Sequence, residues 1–163
     1  MNILTVNLLC STLVFWVAAR IYLVPRLPAL QARSVLLPIL LLHAFRHLGL
    51  MFLAPGAALP GIAPQFAYPA AFGDLLAAVL AMSALLALVA NSGAASWLLW
   101  AFSVEGTVDL IAAISLATIY DAAAFMGASY WIPAFWVPAL LVTHYVAFIV
   151  LWRRGGGAAP RAA

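Results

Sequence analysis

Apolar residues run along this chain in five blocks, 3–24, 34–53, 66–90, 94–119 and 130–152. Each reaches the roughly 20 residues with which a helix crosses a bilayer. The breaks between them carry turn chemistry. Pro25-Arg26-Leu27-Pro28 and Arg33 separate the first two blocks, and residues 54–65 hold three prolines, two glycines and no charge. Asn91-Ser92-Gly93 predicts a tight turn, with Gly93 suited to a helix C-terminus. The fourth break contains Asp121 and Gly127. Pro38 and Pro138 fall inside the second and fifth blocks, where each removes a backbone donor and can kink its helix. The pattern predicts an all-α integral membrane bundle of five transmembrane helices over 1–154. A disordered cytoplasmic tail, rich in Gly, Ala and Pro, is expected over 155–163. No internal repeat is visible.

Composition agrees with the pattern: 68% of the 163 residues are hydrophobic and 7% charged. That balance is foreign to soluble domains. The formal net charge of +3 rests on very few groups, with no basic stripe, which excludes nucleic acid as a partner. All seven basic side chains are arginine, so lysine Schiff-base chemistry is excluded. The single Cys10 excludes an intramolecular disulfide and a C-x-x-C redox pair. Met1 and Asn2 supply no positive n-region, so no signal peptide is expected.

Arginine placement sets the expected orientation. Arg20, Arg26 and Arg33 flank the first connection, and Arg153, Arg154 and Arg161 follow the last span; the second and fourth connections have none. By the positive-inside rule the first connection and the C-terminus are cytoplasmic and the N-terminus is outside. Trp131 and Trp136 then lie toward the outer interface, and Trp97, Trp100, Trp152 and Tyr22 toward the inner one. The expected location is a bacterial-type inner (plasma) membrane.

Seven ionisable side chains interrupt the apolar blocks: His43, Arg46, His47, Asp74, Glu105, Asp109 and His144. Charge at bilayer depth costs roughly 3 kcal/mol on insertion scales, so it persists when paired, hydrated or functional. At about 1.5 Å per residue, Arg46, His47, Asp74 and Asp109 come to the outer half, and His43, Glu105 and His144 to the midplane. His43 and His47 are spaced i, i+4, as are Glu105 and Asp109, so each pair is expected on one helical face, turned inward. Gly73 and Gly106, beside Asp74 and Glu105, permit close backbone approach. Thr107, Thr143 and Tyr145 offer hydroxyl partners, and Asn7 and Thr12 of the first span are weaker candidates. Three carboxylates face one guanidinium, so protonated groups or a bound cation must offset the difference in low dielectric.

Several functions fit such a cluster. The first is acid–base chemistry, of an isomerase or cyclase kind, on a lipophilic small molecule and without a cofactor. In it Glu105 and Asp109 act as acid and base, with Asp74 beside them. His43, His47 or His144 shuttles protons, and Arg46, His144, Tyr145 and Thr107 hold the substrate. Five helices around a mixed His and Glu pocket resemble sterol-isomerase-type membrane proteins in layout, with no motif that carries residues across. The second is a divalent metal site on His43, His47 and His144, completed by Glu105 and Asp109. Its variant is haem b between His144 and His43 or His47, with Arg46 near a propionate. Proton- or ion-coupled transport, a homo-oligomer, and a structural subunit of a larger membrane complex are further alternatives. In the last, the first span is the peripheral helix. In the plainest reading, Arg46 pairs with Asp74 or Asp109 and the network pins the helices together.

Overall fold

The computed structural model describes residues 3–156, which are helical throughout apart from their connections. The first span, α1 (Ile3–Ala18), continues through a π-helical turn (Ala19–Leu23) into a 3-10 turn (Val24–Arg26) that Pro25 favours. The second span changes type halfway. It is α-helical over α2 (Ala32–Ala44) and a 3-10 helix over Phe45–Leu53. α3 (Pro64–Val89) and α4 (Ala95–Ile119) follow. Two 3-10 turns (Ala122–Phe125, Gly127–Tyr130) and a π turn (Ile132–Trp136) lead into α5 (Val137–Gly156). Five helices are therefore long and apolar enough to cross a membrane: Ile3–Arg26, Ala32–Leu53, Pro64–Val89, Ala95–Ile119 and Gly127–Arg153. The rest of the expected disordered tail, 157–163, and Met1 and Asn2 lie outside the described residues.

The turn between α3 and α4 corrects one expectation. Asn91, not Gly93, takes the left-handed conformation, with φ 54°. The Asn91 N–H donates to Leu88 O at 3.3 Å and the Ser92 N–H to Ala87 O at 2.9 Å, which closes α3 with a Schellman motif. Asparagine tolerates this region better than other residues with a Cβ, and it frees Gly93 from the task. At the same end Arg33 donates to Asn91 Oδ1 (2.8 Å) and Val89 O (3.1 Å), joining the first connection to the turn. At the opposite end the second and fourth connections are joined, because the Leu59 N–H donates to Phe125 O (2.8 Å) and the Ser129 N–H to Ala57 O (3.1 Å).

α3 sits centrally, packed on α4, α2 and the 3-10 segment. Its buried stripe is mostly alanine (Ala67, Ala70, Ala71, Ala77, Ala78, Ala81, Ala84), interrupted by Asp74. Such small residues let helix backbones approach closely. α1 lies at the periphery against α5 and its π turn, with Leu4 the one buried residue of the helix.

The core comes in two apolar parts. One, at the Arg33 end, gathers Leu36, Leu40, Ala81, Leu99, Phe102, Val146 and Ala147. The other, at the Ser129 end, gathers Phe52, Phe66, Ala70, Leu110, Met126 and Leu140. In four successive spans the chain passes from one part to the other through a short polar stretch: His43 to Gly49, Asp74, Ser103 to Asp109, and Thr143 with His144. The polar groups thus form a layer between two apolar cores.

Candidate functional site

The 3-10 geometry of the second span places the layer's central group. With three residues per turn, positions three apart eclipse one another. His43, Arg46, Gly49 and Phe52 are spaced by three and all are buried, although their neighbours Phe45, His47 and Leu50 are exposed. A 3-10 run of nine residues is longer than usual, and here it keeps Arg46 pointing inward.

Arg46 is 1% exposed and binds two carboxylates. Its Nε donates to Asp74 Oδ1 at 2.7 Å, its Nη2 donates to Asp109, and its Nη1 donates to Gly106 O at 3.1 Å. Three helical elements are held by one guanidinium, whose planar fork suits two carboxylates at once. Charge-assisted bonds of this kind are about twice as strong as neutral ones.

Three glycines make room for these charges. A Cβ at Gly49 would overlap the Asp74 carboxylate, and one at Gly73 would overlap that of Asp109. A Cβ at Gly106 would stand 2.7 Å from Arg46 Nη1 and from His144 Cε1. Each charged side chain therefore lies across a glycine of a neighbouring helix. The close approach expected at Gly73 and Gly106 is present. Gly49 escapes notice in the sequence, and its signal is its place three residues after Arg46.

Beside Arg46 lie two imidazoles. His43 and His144 are 0% and 1% exposed, with ring centroids 4.2 Å apart, and Phe102 contacts both at 4.9 Å. Thr143 Oγ1 is within 3.0 Å of Ala139 O and 2.9 Å of Leu140 O, where it donates its one hydrogen. It therefore accepts from His43 Nε2, 2.9 Å away, which makes Nε2 the N–H nitrogen. His43 Nδ1, both ring nitrogens of His144, Ser103 Oγ and Glu105 Oε2 are buried without a hydrogen-bond partner among the described residues.

Other sequence expectations are corrected. His47 does not share the face of His43, because the change to 3-10 winding turns it outward; it is exposed and its Nδ1 bonds its own helix at Ala44 O, 2.9 Å away. Tyr145, one residue past His144, is exposed on the outer face of α5. Thr107 donates to Ser103 O at 2.8 Å, within its own helix. Asn7 donates to the Tyr130 hydroxyl at 3.2 Å, and Thr12 to Leu8 O at 2.7 Å, so neither reaches the layer. Glu105 and Asp109 flank the buried stripe of α4 (Ser103, Gly106, Leu110); Asp109 reaches Arg46, and Glu105 is half-buried with no hydrogen bond or ion pair to it.

The same placements bear on cofactors. Without His47 the three-histidine set does not assemble, and no group of three His, Cys, Asp or Glu side chains among the described residues is arranged to hold a metal ion. His43 and His144 are in ring contact, which leaves no space for a porphyrin between them. The outward His47 cannot stand opposite His144 either.

On the Ser129 side of Arg46 lies an apolar cavity of about 210 Å³ between α1, α3, α4 and the start of α5. Leu8, Phe52, Phe66, Leu110 and Met126 are among its walls, and Asp74 is its one ionisable lining residue. Asp74 Oδ1 accepts from Arg46 Nε, and this is the hydrogen bond recorded to the carboxylate among the described residues, which leaves Oδ2 to the cavity side. The cavity is roomier than the 150 Å³ apolar cavity known to admit a benzene ring.

No curated protein and no solved structure matches the chain, so the likeness in layout to sterol-isomerase-type proteins gains no second support. One family model does match, over residues 3–152, a stretch that includes all five apolar helices but for the last residue of the fifth, together with every residue of the polar layer. The chain belongs to that family, the domain of unknown function DUF8737.

Proposed function

We propose that this is a multi-pass protein of a bacterial-type inner (plasma) membrane that holds a lipophilic small molecule in the cavity ending at Asp74. The observation that carries the reading is the Asp74 carboxylate. It is fixed by Arg46, is 7% exposed, and among the described residues is the one ionisable group on a wall that is otherwise apolar but for Thr5 and Thr118. Mostly apolar walls with a few placed polar groups are the usual make-up of a small-molecule site.

The orientation rests on the arginines. Arg26 and Arg33 share an end with the turn after α3, and the opposite end has no basic residue. With that end outside, the cavity belongs to the outer half of the membrane. In a Cys10→Ala background, Ala128→Cys is then labelled by an impermeant maleimide in intact cells, and Gln31→Cys is labelled after permeabilisation. The reverse pattern inverts the topology.

Acid–base chemistry on the held molecule is the catalytic form of the same reading. It is favoured by the free Oδ2 of Asp74, whose other oxygen Arg46 orients. Asp109, Glu105, His43 and His144 then act from behind Asp74 as charge partners, since none of them lines the cavity. Thermal unfolding of the purified protein with phenylalkyl compounds tests the binding claim. Stabilisation by such a compound, lost in Ile114→Trp, which fills the cavity, supports it. Equal stabilisation of both proteins, or of neither, refutes it.

A further inference from the structure

We infer that the molecule held in this cavity carries a protonated amine, seated on Asp74, with a compact apolar body of aryl-alkyl size. The inference rests on the reading of the cavity as a ligand site and adds the chemistry of the ligand's head.

Charge is the first ground. Among the described residues Arg46 is the one cation bonded to Asp74 and Asp109, and it carries one charge against their two carboxylates. The ring nitrogens of His43 and His144 form no bond to either carboxylate. Glu105 adds a further acidic group, with Oε2 buried and unpartnered. Arg33, the nearest other arginine in sequence, is engaged at the far end of the bundle. Surplus negative charge in a low-dielectric layer is costly unless a proton or a cation meets it, and a protonated amine brings both to the free carboxylate oxygen.

Geometry supplies the second. The carboxylate that lines the cavity has one oxygen committed to Arg46 and the other free. Gly49 lies against that free oxygen, where the Cβ of any other residue would overlap it. An ammonium N–H donor meets this oxygen with a charge-assisted bond; an alcohol meets it with a weaker bond, and a carboxylate is repelled. The walls along the rest of the cavity, including Phe66, Leu110 and Ile114, are apolar but for the hydroxyls of Thr5 and Thr118, and the Thr118 hydroxyl donates to Ile114 O at 2.9 Å. A single polar head on an apolar body is what such a lining accommodates.

Three probes with one body separate the possibilities: 4-phenylbutylamine, 4-phenyl-1-butanol and 4-phenylbutyrate, titrated into the full-length protein in detergent at neutral pH. Ile114→Trp, with its cavity filled, serves as the reference that subtracts micelle partitioning. The amine is expected to bind on the order of tenfold or more tightly than the alcohol, as a bond to a charged group implies, and the butyrate not at all. Asp74→Asn is expected to erase the gap between amine and alcohol. Equal affinity of amine and alcohol in the unaltered protein overturns the amine while leaving the cavity reading in place. A gap that persists in Asp74→Asn overturns Asp74 as its seat. If none of the three binds beyond the Ile114→Trp reference, the cavity reading falls with the inference. Because the head-group comparison is made on the unaltered protein, it stands even if Asp74→Asn fails to fold.

Discussion

The two halves of the second span are built from the same apolar alphabet and do different work. The first half, α2, buries Val35, Leu36, Ile39 and Leu40 at α-helical spacing in one apolar core before it reaches the polar layer at His43. The second, Phe45–Leu53, winds as a 3-10 helix and buries Arg46, Gly49 and Phe52 at a spacing of three. An α-helix would have turned that row gradually away from the interior. The 3-10 half instead holds a charge, a glycine and a ring in line toward α3 and α4. Hydrophobicity decides that this segment is a span; the winding decides which of its polar residues form a site.

That contrast can be broken by substitution. The largest effect is expected for Arg46→Met, which strands Asp74 and Asp109 without their cation; removing one partner from a buried ion pair costs about 3–5 kcal/mol. Thermal unfolding in detergent should show it. Adding Asp74→Asn and Asp109→Asn to Arg46→Met should recover much of the loss, and no recovery would mean the charges were not what Arg46 served.

Leu36→Ala, in the α-helical half, should cost about 3 kcal/mol through the cavity it leaves. It lies in the other core, so probe binding per folded molecule should be unchanged. A binding defect there would dissolve the distinction between the halves.

Gly49→Ala comes next, at about 1–3 kcal/mol, because its Cβ would force the Asp74 carboxylate aside. Unlike Leu36→Ala, it should also weaken phenylalkyl binding. Gly93→Ala is the matched control: nothing lies within 4 Å of its added carbon, and a change within about 0.5 kcal/mol is expected.

The smallest effect belongs to His47→Ala, also within about 0.5 kcal/mol, because His47 is exposed and bonds its own backbone. His43→Ala should cost clearly more, as His43 is buried between Phe102, His144 and Thr143. Equal effects at the two positions would restore an α-helical face with both histidines inward.

These same residues show what the sequence reveals and what it hides. The helices, their number and their approximate ends follow from the length of the apolar blocks, since nothing else in the chain competes with them. That Arg46, Asp74, Asp109, His43 and His144 fall in one layer follows from their depths along the spans; that they meet around one guanidinium does not, because helix order around the bundle is not encoded in spacing. The winding of 45–53 does not follow, because apolar periodicity over nine residues barely separates 3.0 from 3.6 residues per turn. Spacing alone therefore puts His47 inside with His43, and at α-helical spacing nothing in the sequence marks Gly49 as part of the layer. Tyr145 turns outward for a simpler reason: proximity in sequence to His144 says nothing of the helical face it occupies. The cavity is legible only in three dimensions, since its walls come from all five spans and a loop.

The central claim, that Arg46 is held by Asp74 as the organising contact of the site, is most directly tested by a double-mutant cycle of Arg46→Met and Asp74→Asn, read by unfolding free energy in detergent. The account predicts that the double variant loses about 1–3 kcal/mol less than the sum of the two single losses, as coupled contact pairs do. Losses that add to within about 0.5 kcal/mol would show two independent residues and contradict it.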